Sequence, residues 1–170
     1  MDETIYTKPV LKWAGGKSQL LGEIIPRMPE TYNNYIEPFF GSGAVYFAIA
    51  PEHAVIADSN PELINLYRII ASDVEGLISL LATYENTKER FYSVRAVDWK
   101  DMEPIEAAAR TVYLNKTCFN GLYRVNRKGL FNTPYANNKR TVFCDEAEIR
   151  KAAGLLKSAE IICGDFHEVL

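Results

Sequence analysis

Between Tyr35 and Asp58 the spacing of apolar positions changes period twice. Tyr35 and Ile36 form a short apolar approach ending at Glu37-Pro38, followed by two aromatics and Gly41-Ser42-Gly43. Ala44, Val45, Phe47, Ala48 and Ile49 then give the chain helical character, and Ala54–Asp58 (AVIAD) is a second apolar run closed by a carboxylate. The pattern predicts strand, glycine turn, helix, strand. Upstream, Met1–Tyr6 reads as a loose arm. A helix is expected from Ser18, with a stripe of Leu20, Leu21, Ile24 and Ile25, stopping at Pro26–Pro29.

Downstream, Asn60-Pro61 opens a helix containing Leu63, Ile64, Leu66, Tyr67, Ile69 and Ile70, and Asp73 caps another through Leu81. Lys88–Trp99, Glu103–Asn115 and Asp145–Lys157 read as further helices, and Glu160–Cys163 as a third strand. The expected class is α/β with three recognisable strands. The run of helices from about residue 60 to 116 breaks the alternation and reads as a separate helical lobe.

Composition narrows the class. The 170 residues are 48% hydrophobic and 24% charged, ordinary for one soluble globular domain. No signal peptide opens the sequence, and no apolar run approaches the ~20 residues of a membrane span. Cys118, Cys144 and Cys163 are scattered and odd in number, without a C-x-x-C pair, and histidine occurs only at His53 and His167. That argues against a metal site and for free thiols in a reducing compartment, the cytoplasm.

The net charge of −3 hides an asymmetry. From Ala107 to Cys144 there are seven basic residues (Arg110, Lys116, Arg124, Arg127, Lys128, Lys139, Arg140) and no acidic one. An acidic body with one basic block localises a polyanion to one face. Within the block, Asn120-Gly121 and Lys128-Gly129 are turn signals around a short alternating stretch, Leu122–Asn126, followed by Leu130-Phe131. A hairpin-like loop there carries Arg124, Asn126, Arg127 and Asn132. Arginine matches guanine and asparagine matches adenine in the major groove. Phe119, Tyr123 and Phe131 fit wedging or stacking between bases.

The glycine turn points to a second ligand. Glycines after a strand let backbone approach a nucleotide-like molecule, and Asp58, fifteen residues beyond Gly43, is placed to accept from ribose hydroxyls. A dinucleotide fingerprint needs a third glycine where Tyr46 stands. A Walker A loop ending in Gly16-Lys17-Ser18 needs a glycine at Leu11. A ligand with adenine and ribose but no phosphate remains, and S-adenosylmethionine is the leading candidate. Trp13 has two readings, core aromatic beside a turn or wall of the pocket, with Lys17 supplying charge to a carboxylate. Asp165, in Gly164-Asp165-Phe166, is another carboxylate following a strand.

Taken in order, KWAGGK (Lys12–Lys17), EPFFGSG (Glu37–Gly43), Asp58, FNGLYRVNRKGLFNTPY (Phe119–Tyr135) and GDF (Gly164–Phe166) resemble the N-terminal portion of the Dam-type (D12 class) DNA adenine N6-methyltransferases. The resemblance implies a Rossmann-like S-adenosylmethionine-dependent methyltransferase fold with an inserted, mainly helical target-recognition domain. Residues 1–59 and 145–170 would belong to the cofactor domain, and 60–144 to the recognition domain, with its hairpin at 119–135. Trp13 and Lys17 would close over the cofactor, while Phe39, Gly41 and Ser42 would floor its methionine end. Asp58 would hold the ribose, and Asp165 and Phe166 would border the adenine. By position, Lys12, Phe119, Asn120, Leu122, Arg124 and Pro134 would read or wedge bases, and Asn126 and Asn132 would contact the DNA backbone.

The implied partner is duplex DNA, probed at GATC with the adenine flipped out, in DNA methylation or restriction-modification. No metal is implied. The family's catalytic Asp-Pro-Pro-Tyr does not occur in residues 1–170, and the resemblance places it after a fourth strand, with the second half of the sheet. Little or no turnover is therefore expected of these residues alone. The alternative is a non-catalytic DNA-binding module with a vestigial S-adenosylmethionine pocket. A third reading, an enzyme of RNA or of a small molecule, fits the Arg/Asn hairpin less well.

Overall fold

The computed structural model describes residues 6–170; apart from Tyr6, the arm expected over Met1–Tyr6 lies outside the described residues. Before the first strand, the expected helix is broken into a 3-10 turn (Lys17–Leu20), a single α turn, α1 (Leu21–Ile24), and a second 3-10 turn (Ile25–Arg27). None of these residues is buried, and Leu20, expected in an apolar stripe, is 54% exposed. Gly22 weakens the helix, and Pro26 can neither donate to the ladder nor avoid the carbonyl four residues before it.

Three parallel strands, β1 (Tyr35–Glu37), β2 (Ala54–Asp58) and β3 (Ala159–Cys163), form a sheet in that spatial order. β1 and β2 are joined through α2 (Ala44–Ile49). β2 and β3 are joined through α3 (Pro61–Ser72), α4 (Val74–Leu81), α5 (Lys88–Ala96), α6 (Pro104–Thr117) and α7 (Glu146–Leu156). The alignment pairs Glu37 with Ile56 and Asp58 with Cys163, so the carboxyl ends of the strands meet at one edge.

Side-chain caps start four of the helices as their sequences dictate. Asn60 accepts from the Glu62 and Leu63 amides, Asp73 from Gly76, Thr87 from Arg90 and Asp145 from Glu148. α5 stops at Ala96, short of the expected Trp99, which begins a 3-10 turn of its own. There Val97 is extended, and its carbonyl accepts from Arg110 Nε at 3.1 Å instead of continuing a helix.

The helical run shares one apolar core with the sheet. Ile56 of β2, Leu66 and Ile70 of α3, Leu81 of α4 and Phe91 of α5 lie in the same buried cluster as Val112 of α6 and Leu156 of α7. Under the glycine turn, Phe40, Tyr46, Phe47 and Tyr67 pack with ring centroids 4.7–6.4 Å apart. Gly43 adopts φ 67°, and a Cβ there would lie 2.5 Å from the Phe40 ring, so no other residue fits without shifting that ring. Tyr46, standing where a dinucleotide site would have glycine, is buried and donates to the Leu155 carbonyl at 2.7 Å. Burial pushes its phenol up to about 12.

An ion pair lies inside this core. Arg110, 1% exposed, meets Glu62, 2% exposed, at 2.7 Å, and Thr111 donates to the same carboxylate oxygen at 3.1 Å. Removing one partner strands a buried charge. Arg110→Ala is expected to cost about 3–5 kcal/mol of stability, read as a lowered urea midpoint with an unchanged slope.

Candidate functional site

A cavity of about 190 Å³ opens where the chain leaves β1 and β2. Trp13, Gly16, Lys17, Phe39, Gly41, Ser42 and Asp58 line it, which brings six of the eight sequence-predicted cofactor residues into one place. Trp13 is a wall of this cavity as well as a packed aromatic. At Gly41, with φ 54°, a Cβ would stand 3.0 Å from Trp13 Cδ1, so glycine is what allows backbone and indole to close together. The Gly41 carbonyl accepts from buried Tyr67 at 2.8 Å, which fixes the turn from below.

Asp58 ends β2 with both oxygens engaged. Oδ2 accepts from the Gly41 amide and Oδ1 from the Asn60 amide, each at 2.9 Å. A carboxylate has about four acceptor sites, so two are left for ligand hydroxyls. Lys17 Nζ donates to Glu37 Oε1 and to the Phe39 carbonyl, both at 3.3 Å, leaving its third N–H for an anionic group. Glu37 is itself buried and accepts from the Tyr35 hydroxyl at 2.7 Å; burial and that carboxylate push the Tyr35 phenol well above its usual range. Phe39 is 64% exposed at the cavity rim.

Asp165 and Phe166 lie outside the cavity lining. Phe166 approaches it through Phe39, ring centroids 5.6 Å apart, and Asp165 Oδ1 accepts from the His167 amide at 3.1 Å.

Between Cys118 and Tyr135 the chain doubles back on itself without forming regular strands. Antiparallel bridges join Cys118 to Tyr135 and Val125 to Phe131, and the Asn132 amide donates to the Arg124 carbonyl. Lys12 sits at its base: its backbone exchanges bonds with the Asn115 side chain, and its stem packs against Gly121. Asn120 holds φ 56°, and the Phe119 amide donates to the Pro134 carbonyl. Phe119, Leu122 and Val125 are exposed apolar side chains beside exposed Arg124 and Arg127.

The asparagines work inside the loop. Asn126 Oδ1 accepts from the Lys128 and Leu130 amides, and Asn132 Oδ1 accepts from Arg124 Nε at 2.7 Å. Of the basic block, Arg110 is withdrawn into the core by Glu62 and is no part of a surface. Lys116 is half-buried, and desolvation pushes its ammonium down, opposed by Asp145.

Tyr123 has the role that the sequence did not reveal. Its ring stacks on Trp13, centroids 4.7 Å apart and planes 28° from parallel, and its hydroxyl donates to Glu62 Oε2 at 2.7 Å. Alternation marked Tyr123 as a hairpin aromatic, but nothing in the sequence pairs it with a carboxylate 61 positions away. Burial and Glu62 push its phenol well up, so it stays a hydrogen-bond donor at neutral pH.

Among the described residues no group of three or more His, Cys, Asp or Glu side chains is placed to hold a metal, and no helix is long and apolar enough to cross a membrane. Cys118, Cys144 and Cys163 are free thiols, and burial pushes Cys118 up to about 11.

A parallel α/β sheet with a glycine-turn cavity at the strands' carboxyl ends is the arrangement in which open α/β proteins bind ligands. Residues 13–170 match the family described as D12 class N6 adenine-specific DNA methyltransferase. The type II methyltransferase M1.LlaDCHI of Lactococcus lactis subsp. cremoris is 43% identical over 98% of this chain and 61% of its own length. The type II methyltransferase M.MjaIII of Methanocaldococcus jannaschii is 39% identical over 95% of this chain and 63% of its own length. A DNA adenine methylase of Haemophilus influenzae is 40% identical over 95% of this chain and 58% of its own length. The chain belongs to the D12 class N6 adenine-specific DNA methyltransferase family. It spans about three fifths of the length of these relatives, 58–63%.

Asp58 carries a sharp expectation. Asp58→Ala removes both carboxylate oxygens from the cavity and orphans the Gly41 and Asn60 amides, at about 1–3 kcal/mol for each donor left unpaired. Calorimetry with S-adenosylhomocysteine is expected to show binding lost, with a lowered melting temperature. Asp58→Asn, which keeps one acceptor, should melt closer to the parent while still binding weakly.

Proposed function

We propose that this chain is the cofactor-binding and DNA-reading portion of a DNA adenine N6-methyltransferase that uses S-adenosylmethionine and acts on duplex DNA at GATC. One observation carries the reading. Trp13 lines the cavity and stacks on Tyr123 of the hairpin, so the glycine-turn cavity and the Arg/Asn loop adjoin through one aromatic pair. The pocket's donors suit this cofactor: a carboxylate with free acceptors for ribose, an ammonium for a carboxylate, and aromatic walls for adenine. Asp165 and Phe166 extend that wall through Phe39.

Residues 60–144 serve as the target-recognition domain, and 1–59 with 145–170 as part of a Rossmann-like methyltransferase domain. In the hairpin, Arg124 reads a base edge with the part of its guanidinium that Asn132 leaves free, and Lys12, Asn120 and Pro134 border the same base pairs. Phe119 and Leu122 wedge between bases, and Asn126 and Asn132 meet the phosphate backbone. The cytoplasm, where the three thiols stay reduced, suits such an enzyme.

S-adenosylmethionine supplies a sulfonium-activated methyl group when bound. Transfer then rests on proximity and alignment more than on proton movement. Lys17, Asp58 and Trp13 hold and orient the donor side; the groups that orient adenine N6 belong to an Asp-Pro-Pro-Tyr motif not found in residues 1–170.

Two measurements test the proposal. The full-length protein is expected to transfer label from S-adenosylmethionine to GATC duplexes, and residues 1–170 alone to transfer little or none; label appearing on RNA instead would sink it. Arg124→Ala is expected to lose about 1–3 kcal/mol of discrimination at one base pair, and Asn132→Ala to lose part of the same discrimination. Equal weakening on every sequence would make Arg124 a phosphate contact.

A further inference from the structure

We infer that Tyr123 is the positioning residue that couples occupancy of the cofactor pocket to the geometry of the DNA-reading hairpin. The inference rests on the function proposed above and adds to it a residue and a route.

Tyr123 lies in the hairpin between two residues with exposed side chains, Leu122 and Arg124. Its own side chain turns inward and is held twice. One face stacks on Trp13, whose indole walls the cavity and presses on Gly41. Its hydroxyl donates to Glu62 Oε2, while Glu62 Oε1 is locked by Arg110 and Thr111 in the core. Glu62 stands in the first turn of α3, two residues after Asn60, whose amide donates to Asp58. Asp58 in turn accepts from Gly41, which closes a ring of contacts around the pocket: Trp13, Tyr123, Glu62, the start of α3, Asp58, Gly41.

The two holds differ in kind. The Glu62 bond anchors Tyr123 to a rigid buried carboxylate, whereas the stack touches the wall that a ligand also touches. A ligand packing on Trp13 fixes the indole, and the indole fixes the ring that sets the register of Leu122 and Arg124. Linkage makes the effect mutual: DNA that orders the hairpin raises affinity for the cofactor by the same factor.

The test uses full-length protein, S-adenosylhomocysteine and a short GATC duplex. Calorimetric affinity for S-adenosylhomocysteine is measured with and without saturating duplex, in the parent, in Tyr123→Phe and in Tyr123→Leu. The parent is expected to bind S-adenosylhomocysteine about fivefold or more tightly on DNA. Tyr123→Phe, which keeps the ring, should retain most of that factor. Tyr123→Leu should lose it while still binding each ligand separately. A merely structural role would weaken duplex binding with the cofactor ratio unchanged, and that result overturns the inference. So does a parent that binds both ligands with no coupling. If Tyr123→Leu gives no cooperative melt, Tyr123→Met takes its place and is held to the same two outcomes. A parent that binds neither ligand refutes the proposed function itself, and the coupling with it.

Discussion

The Glu62 carboxylate is the point on which most of this structure bears. An ionised group this deeply buried is costly unless its oxygens are paired. Arg110 and Thr111 from α6 take one oxygen and Tyr123 from the hairpin takes the other. Two separate stretches of chain are thereby held to the first turn of α3. Among the described residues no buried side-chain nitrogen or oxygen is left without a partner, so the network is satisfied and acts as a rigid joint. Arg110 also draws the Val97 carbonyl away from α5, so the same joint ends a helix.

The pocket beside that joint is built mostly from backbone. Gly41 and Gly43 adopt positive φ where a side chain would strike Trp13 or Phe40, and Asp58 ties the turn to the end of β2. Side chains then line it with acceptors at Asp58, a positive charge at Lys17 and aromatic walls at Trp13 and Phe39. Much of the holding capacity of Asp58 and Lys17 is spent on the protein itself. That rigidity is the condition for precise ligand placement.

Charge is redistributed in the same way. The sequence presents seven basic residues in a block, yet the fold buries Arg110 and half-buries Lys116, leaving the hairpin and the segment after it to carry the surface charge. Arg124 does not extend freely, because Asn132 holds its Nε, so its guanidinium is pre-oriented on the exposed side of the hairpin.

Local order was legible in the sequence because its causes are local. The strands at Tyr35–Glu37 and Ala54–Asp58, the caps at Asn60, Asp73 and Asp145, and the turns of the hairpin depend on residues within a few positions of one another. The helix expected after Ser18 failed where Gly22 and Pro26 outweighed its apolar spacing. Six residues expected at a cofactor pocket line one cavity: Asp58 was legible from its place at a strand end, and others, such as Phe39 and Ser42, only from the resemblance of their motifs to a family. Tertiary structure alone decided that Arg110 is a core ion and that Asn126 and Asn132 brace their own loop. It alone brought Trp13, Tyr123 and Glu62 together across the chain. Those contacts join positions tens of residues apart, and sequence spacing carries no record of which side chains folding will place within hydrogen-bond reach.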